Sequence, residues 1–272
     1  MASLIIAGAT GYGAWPSNTL PSALNCLAAP VDGIEIDVQV TADGHVVAHH
    51  DYRLSRSQTR LGGEWIAGSG PVLKDMSLAQ LRRYDIGRSR PGSGEARRHP
   101  DREDMDGVAV PTLDELFDAL KAAPGPRRLF YIEIKTDPLQ PEIASTPAPF
   151  TQAVIDRIEA HDYVAHSKII AFDWQVLRMT VARNPAIATA HLTVPAGMSG
   201  GVQTLASGED SPWADGCDPR HHGGSDIAAI AAHGGMEWSP YYTDVTRERA
   251  DEALGLGLRG PPHDAPNVLR NE

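Results

Sequence analysis

Apolar residues in this chain come in short runs rich in Ile and Val, separated by amphipathic segments of helical spacing. The runs predict strands at Leu4 to Ala7, Gly33 to Val40, His45 to His50, Leu129 to Ile134, Lys168 to Phe172, Ile187 to Val194 and Met236 to Tyr241. Helical spacing predicts helices at Leu20 to Leu27, Leu113 to Lys121, Phe150 to His161, Trp174 to Arg183, Asp226 to Ala232 and Asp244 to Leu254. Strand and helix alternate after Pro111-Thr112, which predicts a parallel sheet with helices outside. The fold expected is a TIM-type (β/α) barrel, incomplete at six of its eight strands once the return arm ending in His50 is excluded.

Two stretches break the alternation. Residues 52–110, with Gly62-Gly63, Gly68-Ser69-Gly70-Pro71 and Pro91-Gly92-Ser93-Gly94, predict a small lobe inserted after the second strand. Within it only Ser77 to Tyr84 has helical spacing, with Ser77 as cap. A Gly-rich stretch runs from Ala196 to Gly224. From Gly257 onward, Gly260, Pro261, Pro262 and Pro266 predict an irregular tail, leaving residues 1–256 as one barrel domain. Two missing strands would leave an open gap and invite self-association.

The chemistry sits on the strand runs. Glu35 and Asp37 alternate with Ile34, Ile36 and Val38, so both carboxylates leave one face of a strand whose other face is apolar. Glu133 and Lys135 repeat the spacing. A turn at Thr41-Ala42-Asp43-Gly44 folds the chain back so that His50 comes roughly opposite Glu35, with His49 facing away. Hard oxygen ligands, a lysine and a histidine are what metal-assisted phosphate chemistry requires, and the metal expected is one Mg²⁺ or Ca²⁺. Phe172 and Trp238, near the ends of later strands, are candidates for the wall of a substrate pocket. No metal-binding spacing ties together His221, His222, His233, His263, Cys26 and Cys217, which are expected to be loop or surface residues or plain thiols.

Five ordered motifs resemble the glycerophosphodiester phosphodiesterase family: Asn18-Thr19-Leu20, Gly33 to Val38, Val46 to Asp51 with Leu54 and Arg56, Pro111-Thr112-Leu113, and Glu133-Ile134-Lys135. The resemblance implies hydrolysis of a small-molecule phosphodiester to an alcohol and sn-glycerol 3-phosphate. It implies metal ligation by Glu35, Asp37 and Glu133, catalysis by His50 with Glu35 and Lys135, and substrate binding by Lys135, Phe172 and Trp238. The family's first-strand His-Arg-Gly is absent, for this chain reads Ile6-Ala7-Gly8-Ala9-Thr10-Gly11 there. Its last two strand motifs are absent as well. A barrel that binds a phosphate ester or metal without turnover is therefore one alternative. The other is an NAD(P)-dependent reductase built on the Gly8 to Gly13 loop, although Pro16 and Pro21 interrupt the helix such a loop needs.

Charge narrows the partners. At −11 the chain would repel nucleic acid over most of its surface. Between Asp51 and Arg102, however, 11 of the 24 basic residues face six acids, which makes the lobe locally positive. No run reaches the roughly 20 apolar residues of a membrane span, and Met1 to Ala9 lacks the basic start of a secretory leader, so the reading is a cytoplasmic protein with free thiols.

Overall fold

The computed structural model describes residues 4–195, 205 and 207–260. Six parallel strands form a curled sheet in the order β1 (Ile6–Ala7), β2 (Gly33–Val40), β7 (Leu129–Ile134), β8 (Ser167–Ala171), β9 (Ala188–Thr193) and β10 (Trp238–Pro240). A short return strand, β3 (Val46–Ala48), pairs antiparallel with β2. The expected incomplete barrel of six parallel strands is what forms. Among the described residues β1 and β10 do not pair, so the sheet is open.

Helices α1 (Leu20–Ala28), α4 (Leu113–Ala122), α5 (Pro147–Ala160), α6 (Trp174–Arg183), α7 (Asp226–Ala232) and α8 (Arg247–Gly255) carry the chain between strands. Thr112 caps α4 through a reciprocal box with Glu115, which is why Pro-Thr-Leu marks a helix start. The start of α5 lies earlier than its spacing predicts, at Pro147, because the first helical N–H groups have no intrahelical partner and proline there costs nothing. Ile34, Ile36, Val38, Phe130 and Ile132 are fully buried against these helices. Gly33 lets β2 and β7 approach: a Cβ there would lie 2.3 Å from the Leu129 carbonyl oxygen.

The inserted lobe has more structure than its sequence suggests. Besides α2 (Leu78–Leu81), capped by Ser77, it holds a three-stranded antiparallel sheet of β4 (Arg60–Leu61), β5 (Glu64–Trp65) and β6 (Tyr84–Asp85). It also holds α3 (Gly94–Arg98), capped by Ser93. Two-residue strands are too short to show a period, so the pattern cannot reveal them. Leu54, Leu73, Leu81, Ile86 and Val110 give the lobe an apolar core of its own.

The tail also departs from expectation at its start. Leu258 is buried, and Arg259 forms a parallel bridge with Glu237, accepting from Trp238 N at 2.8 Å and donating to the Met236 carbonyl at 2.9 Å. Residues 261–272, and 196–204 and 206 of the Gly-rich stretch, lie outside the described residues.

His233, expected at the surface, instead turns a side chain only 6% exposed toward buried His191. His191 Nε2 lies 3.0 Å from His233 Nδ1, and His233 Nε2 lies 3.1 Å from Asp215 Oδ2. Burial, reinforced by His233, pushes the His191 imidazole down to about 3. Because the unfolded chain takes up a proton near pH 6.5 and the folded one does not, this residue's contribution to stability is present above that pH and lost as pH falls toward 3. We expect His191→Gln to flatten the pH dependence of unfolding free energy between pH 6.5 and 4.5 by up to about 1.4 kcal/mol per pH unit. Denaturant melts at stepped pH measure it, and parallel curves for the two proteins would contradict it.

Candidate active site

Strand pleat and register assemble the site. On β2, Glu35 and Asp37 point into the curl of the sheet, and Asp37 pairs in register with Glu133 on β7. All three carboxylates are buried, and one oxygen of each falls within 4.8 Å of the others. Lys135, which follows β7, lies between two of them: its Nζ is 2.9 Å from Asp37 Oδ1 and 2.5 Å from Glu133 Oε1.

The loop after β1 completes the floor. Ala9 N–H donates to Glu35 Oε2 at 2.7 Å from a left-handed conformation, φ 42°. Asn18, also left-handed at φ 56°, holds Asp37 twice, with Nδ2 donating to Oδ2 at 2.8 Å and Oδ1 accepting from the backbone N–H at 3.0 Å. The Asn-Thr motif signalled this residue, but spacing alone gave it no role. No helix starts from the Gly8 to Gly13 loop: a 3-10 turn spans Gly8–Thr10 and α1 begins only at Leu20. The reductase reading thus loses the helix whose N-terminus would face a pyrophosphate.

The electrostatics are lopsided. Burial raises the Glu35 carboxyl well above the usual carboxylate range, and the charges of Asp37 and Glu133 raise it further. Glu133 is raised by burial too, with Lys135 opposing. For Asp37 burial is outweighed by Lys135, His50 and the Asn18 amide, which hold it at about 2. Burial alone would lower the Lys135 ammonium, but Asp37 and Glu133 hold it above its ordinary value. One lysine against three buried carboxylates leaves excess negative charge, and Glu35 carries the strain of it. That donor set, all hard oxygen in a small buried cluster, suits Mg²⁺ or Ca²⁺.

His50 stands at the mouth, 63% exposed at the side chain, with Nδ1 2.7 Å from Asp51 Oδ1. The β2–β3 register carries position 50 toward Ile36 rather than Glu35, and β3 pairing stops at Ala48, so His50 reaches the site from a loop. Lys135 pushes its imidazole down, but Asp37 and Asp51 outweigh that and hold it above the ordinary value. His49, expected on the far side, also borders the cavity, with Nδ1 2.9 Å from the Asp51 carbonyl.

A cavity of about 480 Å³ opens above the carboxylates, bordered by Phe172 as expected. A second, of about 690 Å³, shares His50, Asp51, Glu133, Lys135 and Phe172 with it and extends along Arg53 and Arg56. Trp238 borders neither. It is 1% exposed, its indole N–H donating to Thr193 Oγ1 at 2.9 Å, because the strand pleat turns it to the helix side and presents Ser239 to the cavity instead. The pattern missed Tyr12, Glu95 and Arg98, which line the first cavity from the β1 loop and the lobe.

The glycerophosphoryl diester phosphodiesterase family model matches residues 8–207. The chain belongs to this family. A crystal structure of a putative glycerophosphoryl diester phosphodiesterase from Silicibacter pomeroyi superposes with a TM-score of 0.81 at 30% identity, covering 96% of this chain and 82% of that one. The glycerophosphodiester phosphodiesterase of Bacillus subtilis is 31% identical over 134 residues, 49% of this chain. That match spans only 40% of the Bacillus protein's length. An Oleispira antarctica phosphodiesterase, solved in complex with the product sn-glycerol 3-phosphate, shares the fold at a TM-score of 0.55 and 19% identity over 95% of this chain and 91% of that one.

The burden on Glu35 gives a prediction. A carboxyl raised above its unfolded value favours folding at low pH and loses that contribution as pH rises through the folded pKa. Glu35→Gln keeps an acceptor for Ala9 and removes the charge, so in chelator at pH 8 it should melt higher than the parent by on the order of 1 kcal/mol, about 2–4 °C. The gain should vanish toward pH 4. A variant that melts lower at both pH values would mean the carboxylate is not under electrostatic load.

Proposed function

We propose that this chain hydrolyses glycerophosphodiesters to an alcohol and sn-glycerol 3-phosphate, using one divalent cation, magnesium or calcium, held by Glu35, Asp37 and Glu133. The observation that carries the reading is the convergence of three buried carboxylates and a half-buried lysine on the floor of a cavity with a histidine at its mouth. When bound, the cation would supply charge neutralisation of the phosphoryl oxygens.

The chain's own residues do the rest. Asn18 and Lys135 fix the Asp37 carboxylate, and Lys135 adds a point charge toward the phosphate. Asp51 accepts from His50 Nδ1, which leaves Nε2 to donate a proton to the departing alcohol oxygen as water attacks phosphorus. Gly8 and Ala9 offer no side chain that moves a proton, so the second transfer lacks the help a first-strand histidine would give, a loss of about 10²- to 10⁴-fold.

The test is release of glycerol 3-phosphate from glycerophosphocholine with and without chelator. Turnover should require the cation and should fall by about 10²-fold or more in His50→Ala. Glu35→Gln, Asp37→Asn and Glu133→Gln should each weaken cation binding in calorimetry. A parent protein that binds cation and ester yet releases no product would instead be a binding barrel without catalysis.

A further inference from the structure

The lobe brings Glu95 and Arg98 of α3 to the wall of the first cavity, which the carboxylate cluster also borders. Glu95 is already engaged: Arg102 Nη1 lies 2.6 Å from Oε1, with both side chains buried, while Gln58 Nε2 donates to Oε1 and the Tyr12 hydroxyl to Oε2, each at 3.2 Å. Arg98 donates one guanidinium nitrogen to Glu95 at 2.7 Å, yet its side chain is 60% exposed. With Glu95 neutralised by Arg102, Arg98 is the surplus positive charge on this wall. Among the described residues the other permanent cation bordering the cavity, Lys135, is held between Asp37 and Glu133.

Two of the cavity's aromatic rings are poorly disposed toward a quaternary ammonium. The Arg102 guanidinium lies 4.5 Å from the Tyr12 ring centroid and Lys135 Nζ lies 5.9 Å from that of Phe172, so each ring already faces a cation. A planar, exposed guanidinium suits a carboxylate, which it can take with two parallel hydrogen bonds.

We propose that Arg98 is a specificity residue for the alcohol end of the diester, and that it selects an alcohol bearing a carboxylate over one bearing only a cationic ammonium. The proposal rests on the glycerophosphodiester reading of the same site. It also gives the lobe's basic excess a use, as a wall that reads the departing alcohol.

The experiment compares glycerophosphoserine with glycerophosphocholine in the full chain, Arg98→Ala and Arg98→Lys. The parent should favour the serine ester in kcat/KM by at least tenfold, Arg98→Ala should bring the ratio near one, and Arg98→Lys should keep part of it. A parent without preference, or an Arg98→Ala variant that lowers both substrates by one common factor, overturns the assignment. If the parent hydrolyses neither ester, the functional reading fails, and calorimetric affinity for the two esters in Ca²⁺ decides the subsite by the same ratio and the same loss in Arg98→Ala. Equal affinities then overturn it.

Discussion

Three carboxylates buried beside one lysine set the terms for the rest of this structure. Bringing ionised carboxyls out of water costs several kcal/mol each unless charge and hydrogen bonds compensate. Here the compensation is uneven: the Asp37 carboxylate receives Lys135 and the Asn18 amide N–H, whereas Glu35 receives one backbone N–H. A bound cation would relieve this imbalance. The strand register makes it geometric, since Asp37 faces Glu133 directly across β2 and β7.

The loop after β1 shows what the arrangement costs. Ala9 and Thr10 are both left-handed, at φ 42° and 58°, where a Cβ crowds the backbone by about 1–2 kcal/mol per residue. That conformation aims the Ala9 N–H at Glu35, and the lobe secures the loop through Arg102 Nε, which donates to the Tyr12 carbonyl at 2.9 Å, and Glu103 N–H, which donates to the Ala14 carbonyl at 3.0 Å. The segment after β1 is thus joined to the lobe, and the lobe in turn supplies the cavity's exposed arginine. Local strain of this kind persists only where surrounding contacts over-determine it.

Period-two alternation made β2 and β7 legible, and with them Glu35, Asp37, Glu133 and Lys135, because a strand packed on helices must turn polar and apolar residues to opposite sides. The same rule was too coarse for Trp238. A three-residue strand has no run from which to choose a face, and a large indole was assigned to the cavity when its pleat position put it in the core. His50 was legible as a site residue but not in its register, since β3 ends two residues before it. The interior of the lobe was invisible beyond one capped helix: its strands are two residues long, and Glu95 and Arg98, which it brings to the cavity, come from sequence more than 55 residues past Glu35 and Asp37. Contacts fixed by a lobe's docking leave no local period. The same holds for Arg259, whose pairing with the β10 edge follows from where the chain returns after α8.

The central claim is that the carboxylate cluster is a cation site whose metal-free form is relieved by a proton on Glu35. Calorimetric titration of the full chain with Ca²⁺ and Mg²⁺, repeated at pH 6 in buffers of different ionisation enthalpy, measures both the cation and the protons that leave with its binding. One cation should bind per chain with release of a substantial fraction of one proton, and Glu35→Gln should abolish the release. Absence of binding, or binding whose heat is the same in every buffer, would contradict the account.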